Sequence, residues 1–142
     1  MPRGNIKMTY FLQYSTSITD RTLDRRIDTM RLEGQGKLTG WSMDFSRPGG
    51  QPNLKKDAAG SVWGLLYLIE EHKLAELDKN EEGQRNDGVC SFEGHQEKCV
   101  FYTYKAGAEQ PGKEYLELIR EAYRQASLPQ GQIDKALGLV KA

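Results

Sequence analysis

The carboxyl group of Glu81 occupies a position suited to moving protons. It lies just past a short predicted helix at 70–78, inside a polar stretch at 79–87. A carboxyl beside such a segment can enter a pocket, where burial raises its pKa and makes it a useful proton carrier. Solvated surface acids are the ordinary case, and several neighbours are of that type: Glu70, Glu71, Glu76, Asp78 and Glu82. Local sequence leaves both interpretations of Glu81 open.

The loop after the first predicted strand is a second feature with chemical potential. It consists of Tyr14, Ser15, Thr16 and Ser17. This loop joins a strand predicted at 6–12 to a helix predicted at 18–30, and Ser17 with Asp20 resembles a capping box. Backbone N–H groups at a helix N-terminus favour an anion such as a carboxylate. An ordinary turn with a serine cap explains the same residues, so this alternative stays open.

The other chemically capable side chains form no recognisable catalytic or metal-binding motif. Tyr102 and Tyr104 lie two residues apart on a predicted strand, so both hydroxyls project from one face, although strands favour aromatic residues for packing alone. Cys90 and Cys99, with His95 between them, lack the paired spacing of a zinc site. A hairpin turn at 94–95 would place these cysteines opposite each other as structural thiols. We expect no metal and no cofactor.

Composition excludes several classes of partner. The 142 residues include 20 Lys+Arg and 20 Asp+Glu, and this zero net charge provides no field that would favour nucleic acid or an anionic membrane. No stretch approaches the roughly 20 apolar residues of a membrane helix, and the first residues lack the apolar core of a signal peptide. Two cysteines cannot build a disulfide framework. We expect a cytoplasmic protein with free thiols, no nucleic-acid partner and no membrane association.

The elements that must position these residues follow from hydrophobic periodicity and turn signals. In chain order the predictions are a strand at 6–12, a helix at 18–30, a strand at 38–45, a long functional loop at 46–60, a buried strand at 61–69, a short helix at 70–78, a hairpin of 89–92 with 98–104, a helix from Pro111 and a last short helix through Ile133. Strands followed by helices without strict alternation indicate one α+β domain with a barrel-like sheet.

Taken in order, these segments resemble the γ-glutamylcyclotransferase-like family over nearly the whole chain. The matching motifs are Tyr14-Ser15-Thr16-Ser17-Ile18, Met43-Asp44-Phe45, Asn53-Leu54, Val62-Trp63-Gly64-Leu65-Leu66-Tyr67, Leu74-Ala75-Glu76-Leu77-Asp78-Lys79-Asn80-Glu81, Thr103-Tyr104 and Pro111-Gly112-Lys113-Glu114-Tyr115. The Leu-Asp-x-x-Glu segment that ends at Glu81 is the most specific of them.

This resemblance implies a fold, an activity and a set of site residues. The fold is α+β, a small mixed β-barrel with flanking helices, formed by residues 1–142 as a single domain. The activity is release of 5-oxoproline from a γ-glutamyl amine or peptide, a small-molecule substrate, without metal or cofactor. Glu81 takes the family's position of general acid and base. The residues implied to bind substrate are Tyr14, Ser15, Thr16, Ser17 and Tyr104.

Two loop positions differ from the family pattern and keep other hypotheses open. Ser15 stands where the family has glycine, and Ser17 stands where it has asparagine. A second hypothesis is therefore a non-catalytic family member that binds a small ligand or a partner in the same pocket. A third is a purely structural domain, which predicts no pocket around Glu81.

Overall fold

The computed structural model describes residues 7–15, 30–107 and 110–138, and for Asn80 the backbone only. Its elements, in chain order, are β1 (Met8–Gln13), β2 (Arg31–Arg47), β3 (Gln51–Glu70), a 3-10 turn (Glu71–Lys73), α1 (Leu74–Asn80), β4 (Gln84–Phe92), β5 (His95–Thr103), α2 (Lys113–Gln125) and α3 (Gln130–Ala136). The helix predicted at 18–30 lies outside the described residues except for Met30.

The five strands close into a barrel in the order β1-β3-β2-β4-β5. β3 pairs antiparallel with both β1 and β2, and β4 pairs antiparallel with β2 and β5. The barrel closes where β1 runs parallel to β5, with Phe11 beside Val100. Closure gives each strand two neighbours, so the sheet has no edge strand whose backbone N–H and C=O groups are unpaired. The predicted α+β fold, a small mixed β-barrel with flanking helices, is confirmed.

Inward-facing side chains of the barrel and one face of each C-terminal helix share a single core. Alternation along the strands sends every second side chain inward. Helix α2 contributes Ile119 and Tyr123 to this core, and α3 contributes Ile133. The largest fully buried side chains are Tyr123, Phe11, Phe101, Leu12, Leu38, Leu66, Ile69, Leu77, Ile119 and Ile133. The helices thereby fix the barrel end at which Tyr14 and Tyr104 lie.

The prediction of a long loop at 46–60 was wrong. A tight turn at 48–50 joins β2 directly to β3, and the two strands pair along this region, with Met43 opposite Leu54 and Trp41 opposite Lys56. Pro48, Gly49 and Gly50 form the turn, whereas Pro52 and Gly60 lie within β3. The polar residues that follow form a strand because β2 supplies their backbone partners and one face meets solvent. Both strands are consequently much longer than predicted.

The predicted hairpin of β4 and β5 is confirmed, with a different turn. Glu93 and Gly94 both have positive φ, 49° and 84°, as a two-residue hairpin turn requires. This turn lies one residue earlier than the turn at 94–95, so Cys99 pairs with Gly88 rather than Cys90. The two cysteines are diagonal neighbours, and both are buried and free. The polar stretch predicted at 79–87 is also shorter, because β4 begins at Gln84.

Candidate functional site

Glu81 is held at both its backbone and its side chain. It follows the last residue of α1, and its N–H donates to the Leu77 carbonyl at 3.0 Å. Leu77 is fully buried and anchors the end of the helix in the core. The hydroxyl of Tyr104, which lies just past β5, donates to Glu81 Oε2 at 3.1 Å. The carboxyl group therefore has a defined position at the end of the barrel.

The Leu-Asp-x-x-Glu segment docks onto two tyrosines of the neighbouring strand. Tyr102 Oη donates to Asp78 Oδ1 at 2.5 Å, while Tyr104 makes the corresponding bond to Glu81. Asp78 also accepts from Arg85 Nη1 at 3.0 Å, and Arg85 lies directly opposite Tyr102 in the hairpin. Residues two apart on a strand project from one face, and residues three apart lie close together on a helix. Asp78 and Glu81 can therefore reach Tyr102 and Tyr104 at the same time, and these two bonds fasten the end of α1 to the end of β5.

Asn53 of β3 fixes the backbone of Tyr104. Its Nδ2 donates to the Tyr104 carbonyl at 2.8 Å, and its Oδ1 accepts from the Tyr104 N–H at 2.9 Å. Two further bonds tie the same amide to Ser46 Oγ at 3.0 Å and to the Leu54 N–H at 2.9 Å. Only 3% of Asn53 is exposed. This side chain takes the place of a strand partner where β5 has ended.

Arg47, the last residue of β2, packs against the aromatic ring of Tyr104. The guanidinium Cζ lies 3.7 Å from the ring centroid. The turn at 48–50 holds this end of β2 in place, since Gly50 lies so close to Gln110 that an added Cβ would come within 2.5 Å of the Gln110 carbonyl. The Arg47 guanidinium thus packs against the Tyr104 ring, and the Glu81 carboxyl accepts from the hydroxyl of the same ring.

At the start of the loop, Gln13 occupies the backbone donors. Its side-chain Oε1 accepts from the N–H groups of Tyr14 at 3.1 Å and Ser15 at 3.2 Å, and from Ser15 Oγ at 3.0 Å. Ser15 replaces a glycine of the family pattern without backbone strain, because the described non-glycine residues with positive φ are Glu93 and Ser127. Thr16 and Ser17 lie outside the described residues, as does the predicted helix start.

Tyr14 connects this loop to the helices and to β5. Its hydroxyl donates to the Tyr102 carbonyl at 2.6 Å, and its own carbonyl accepts from Tyr123 Oη of α2 at 2.7 Å. Gln132 of α3 donates to Tyr123 Oη at 2.9 Å and binds both backbone polar groups of Trp63 in β3. These bonds hold Tyr14 in place at the base of the site, with 3% of its surface exposed.

The tyrosines of the site stay protonated over a wide pH range. Burial raises the pKa of Tyr104, and the nearby Glu81 charge raises it further, while the Arg47 charge opposes part of this increase. Burial likewise raises the pKa of Tyr14 well above its usual range, with smaller effects from Tyr104 and Arg47. A protonated Tyr104 remains a hydrogen-bond donor to Glu81 at neutral pH. The shared electrostatic partners also place Tyr14, Tyr104, Arg47 and Glu81 in one neighbourhood.

Of the six residues predicted for the site, the structure therefore brings Tyr14, Tyr104 and Glu81 together, with Ser15 next to Tyr14. Sequence analysis missed three contributors: Gln13, Arg47 and Asn53 as an anchor. A signal existed for Arg47, because a strand continued past Phe45 would place it on the face of Met43 and Phe45.

A cavity of about 430 Å³ borders Tyr104. Its lining residues are Glu82, Gly83, Gln84, Thr103, Tyr104 and Lys105. Across residues 7–15, 30–107 and 110–138, no three His, Cys, Asp or Glu side chains come close enough to hold a metal ion. The helices of this described part are too short or too polar to cross a membrane.

Comparison with a family model places the chain by sequence. Residues 15–124, more than half of the chain, match the model described as "Gamma-glutamyl cyclotransferase, AIG2-like". The chain belongs to this family. The matched region runs from Ser15 through most of α2, so it includes Glu81, Tyr104 and Arg47. A search of curated proteins found no match.

Solved structures show the same fold at low sequence identity. A gamma-glutamyl cyclotransferase superposes with a TM-score of 0.73 at 16% identity, covering 96% of this chain and 90% of that chain. An uncharacterized protein from Homo sapiens gives 0.73 at 15%, covering 95% and 89%. An AIG2-like protein from Mus musculus gives 0.56 at 18%, covering 77% and 82%. At such identities the likeness concerns the fold alone.

Proposed function

We propose that this protein is a γ-glutamyl cyclotransferase that releases 5-oxoproline from a γ-glutamyl amine or peptide, with Glu81 as general acid and base. The observation that carries the proposal is the hydrogen bond from Tyr104 Oη to Glu81 Oε2. It fixes a carboxyl group at the barrel end, beside the loop that begins at Tyr14. Membership of the family and the barrel fold support this assignment.

The reaction requires one group that takes up a proton and returns it. The α-amine of the substrate attacks its own γ-carbonyl carbon, so the C–N bond of a five-membered ring forms and the C–N bond to the amine half breaks. Glu81 accepts the proton from the attacking nitrogen and delivers it to the leaving nitrogen. No water is consumed. Because both reacting groups belong to one molecule, holding the substrate folded removes much of the entropic barrier.

The loop supplies donors for the oxygen atoms of the substrate. Backbone N–H groups aimed at a carboxylate or at the developing oxyanion stabilise negative charge effectively in a partly dry site. The N–H groups of Tyr14 and Ser15 donate to the Gln13 side chain. A substrate oxygen that uses these amides must displace Gln13 Oε1. Thr16 and Ser17 belong to the same proposal as continuation of the loop.

The activity is tested by incubating the protein with a panel of γ-glutamyl dipeptides and γ-glutamyl amines and measuring 5-oxoproline. Wild-type protein releases it, and Glu81→Gln loses about 10²- to 10⁴-fold in rate, the usual contribution of a general acid–base group. Glu82→Gln is the matched control, since it removes the same charge from the exposed neighbouring residue. Absence of 5-oxoproline across the panel would reject the enzyme.

A second candidate, a non-catalytic member that binds a small ligand in the same place, is favoured by one observation. Gln13 Oε1 already satisfies three donors of the loop, including Ser15 Oγ at the position of the family glycine. The same panel separates the two functions. A γ-glutamyl compound that binds, as measured by calorimetry, without yielding 5-oxoproline supports the binding protein.

A further inference from the structure

Arg47 places a positive charge beside the ring of Tyr104. In the described part of the chain no carboxylate lies within ion-pairing distance of its guanidinium. The described arginines with such a partner are Arg31, Arg85, Arg120 and Arg124. The guanidinium lies over the Tyr104 ring, and a guanidinium that packs on a ring can still offer N–H donors at its edges to an acceptor.

The position of this group relates it directly to Glu81. One aromatic ring separates them: the guanidinium lies 3.7 Å from the Tyr104 ring centroid, and the hydroxyl of that ring lies 3.1 Å from Glu81 Oε2. The side chain is half-buried, so an anion bound to it is partly removed from water. Arginine forms paired hydrogen bonds with a carboxylate more readily than lysine, because its donors lie in a planar fork.

We propose that Arg47 binds a carboxylate on the amine half of the substrate and so selects γ-glutamyl amino acids and peptides over γ-glutamyl amines that lack an acid group. This inference rests on the proposed function. Glu81 must contact the leaving nitrogen in order to protonate it, so the groups attached to that nitrogen lie beside Tyr104 and Arg47. The α-carboxylate of the glutamyl half is assigned to the loop amides at Tyr14 and Ser15, on the β1 side.

The orientation of Arg47 suits this role. The bonds that Asn53 makes hold the Tyr104 backbone, and the bond to Glu81 holds the hydroxyl end of the ring against which the guanidinium lies. A binding group that is already held in place loses less conformational entropy when its ligand arrives. Arg47 is thus a specificity-determining residue, whereas Glu81 performs the proton transfer.

The test compares two substrates in two variants. The substrates are a γ-glutamyl dipeptide, whose amine half carries a free carboxylate, and γ-glutamylpropylamine, whose amine half carries none. Arg47→Met keeps a long apolar stem and removes the charge. We expect kcat/KM for the dipeptide to fall by about ten- to a hundredfold, the effect of losing hydrogen bonds to a charged group, and kcat/KM for the propylamine to fall by a much smaller factor. Arg31→Met, at the exposed start of the same strand, is the matched control.

An equal loss on both substrates would assign Arg47 to the glutamyl half or to support of Tyr104, and no loss on either would leave it without a role; both results overturn the inference. Failure of the proposed function is distinguishable, because wild-type protein then releases no 5-oxoproline from either compound. In that case calorimetry with the same two compounds decides. Preference for the dipeptide that disappears in Arg47→Met supports the inference, and equal affinities of wild-type protein for both compounds reject it.

Discussion

Replacing Asn53 by leucine tests how the site is held together, because this buried amide joins three segments. Its four hydrogen bonds reach Ser46, Leu54 and both backbone groups of Tyr104. Leucine has a similar volume and cannot make any of them. The N–H and C=O of the partly buried Tyr104 and the N–H of the buried Leu54 then lose their partners.

The size of the effect follows from this count. Each of the three backbone groups that lose their partner costs about 1 kcal/mol net, so Asn53→Leu should lower the free energy of unfolding by about 3 kcal/mol. For a domain of this size that loss corresponds to a decrease in Tm of about 10 °C. A natural domain with about 5–15 kcal/mol of stability still folds after such a loss. 5-Oxoproline release should fall by at least about tenfold, since a displaced Tyr104 no longer positions Glu81.

The assay is urea unfolding followed by circular dichroism, together with 5-oxoproline release on the same preparations. Gln96→Leu is the control, because it also replaces a carboxamide by leucine, on the exposed hairpin, and should alter stability by no more than about 0.5 kcal/mol. Asn53→Asp keeps the acceptor for two N–H groups but removes both donors, so it should fall between wild type and Asn53→Leu. Stability of Asn53→Leu equal to that of the control would refute the reasoning.

Two further predictions concern the loop and the buried phenols. Gln13→Leu leaves two backbone N–H groups without their acceptor and should lower the free energy of unfolding by about 1–3 kcal/mol. KM should fall, because the substrate no longer competes with Gln13 Oε1 for these groups. A rise in KM would show that Gln13 does not compete. Burial raises the pKa of the site and core tyrosines Tyr14, Tyr102, Tyr104 and Tyr123. The folded protein retains these protons above about pH 10, where the unfolded chain releases them. Their contribution to stability is therefore complete below about pH 10 and is lost as pH rises beyond it. Urea unfolding between pH 8 and 11, with phenolate absorbance of the folded protein, measures this, and tyrosines that all ionise near pH 10 before unfolding would contradict it.

The sequence by itself determined the elements whose signals are local. Apolar runs indicated the buried part of β3, the helical spacing of Tyr115, Ile119 and Tyr123 indicated α2, and the residues around Gly94 indicated a hairpin. The order of these elements and the Leu-Asp-x-x-Glu segment were sufficient to predict the barrel fold. Each signal depends on residues close together in the chain, where side-chain periodicity directly reports which face is buried.

Tertiary structure alone decided what joins those elements. Residues 51–61 form a strand because β2 lies beside them, although their composition resembles a loop. Asn53 is 51 residues away from Tyr104 in the chain, and no local pattern reveals that its amide completes the backbone of that tyrosine. The proposed role of Arg47 also depends on tertiary structure, because the ring it contacts belongs to Tyr104, just past the end of β5. Hydrogen bonds and ring contacts depend on distances of a few ångströms, and the closed barrel sets those distances between segments that sequence periodicity cannot relate.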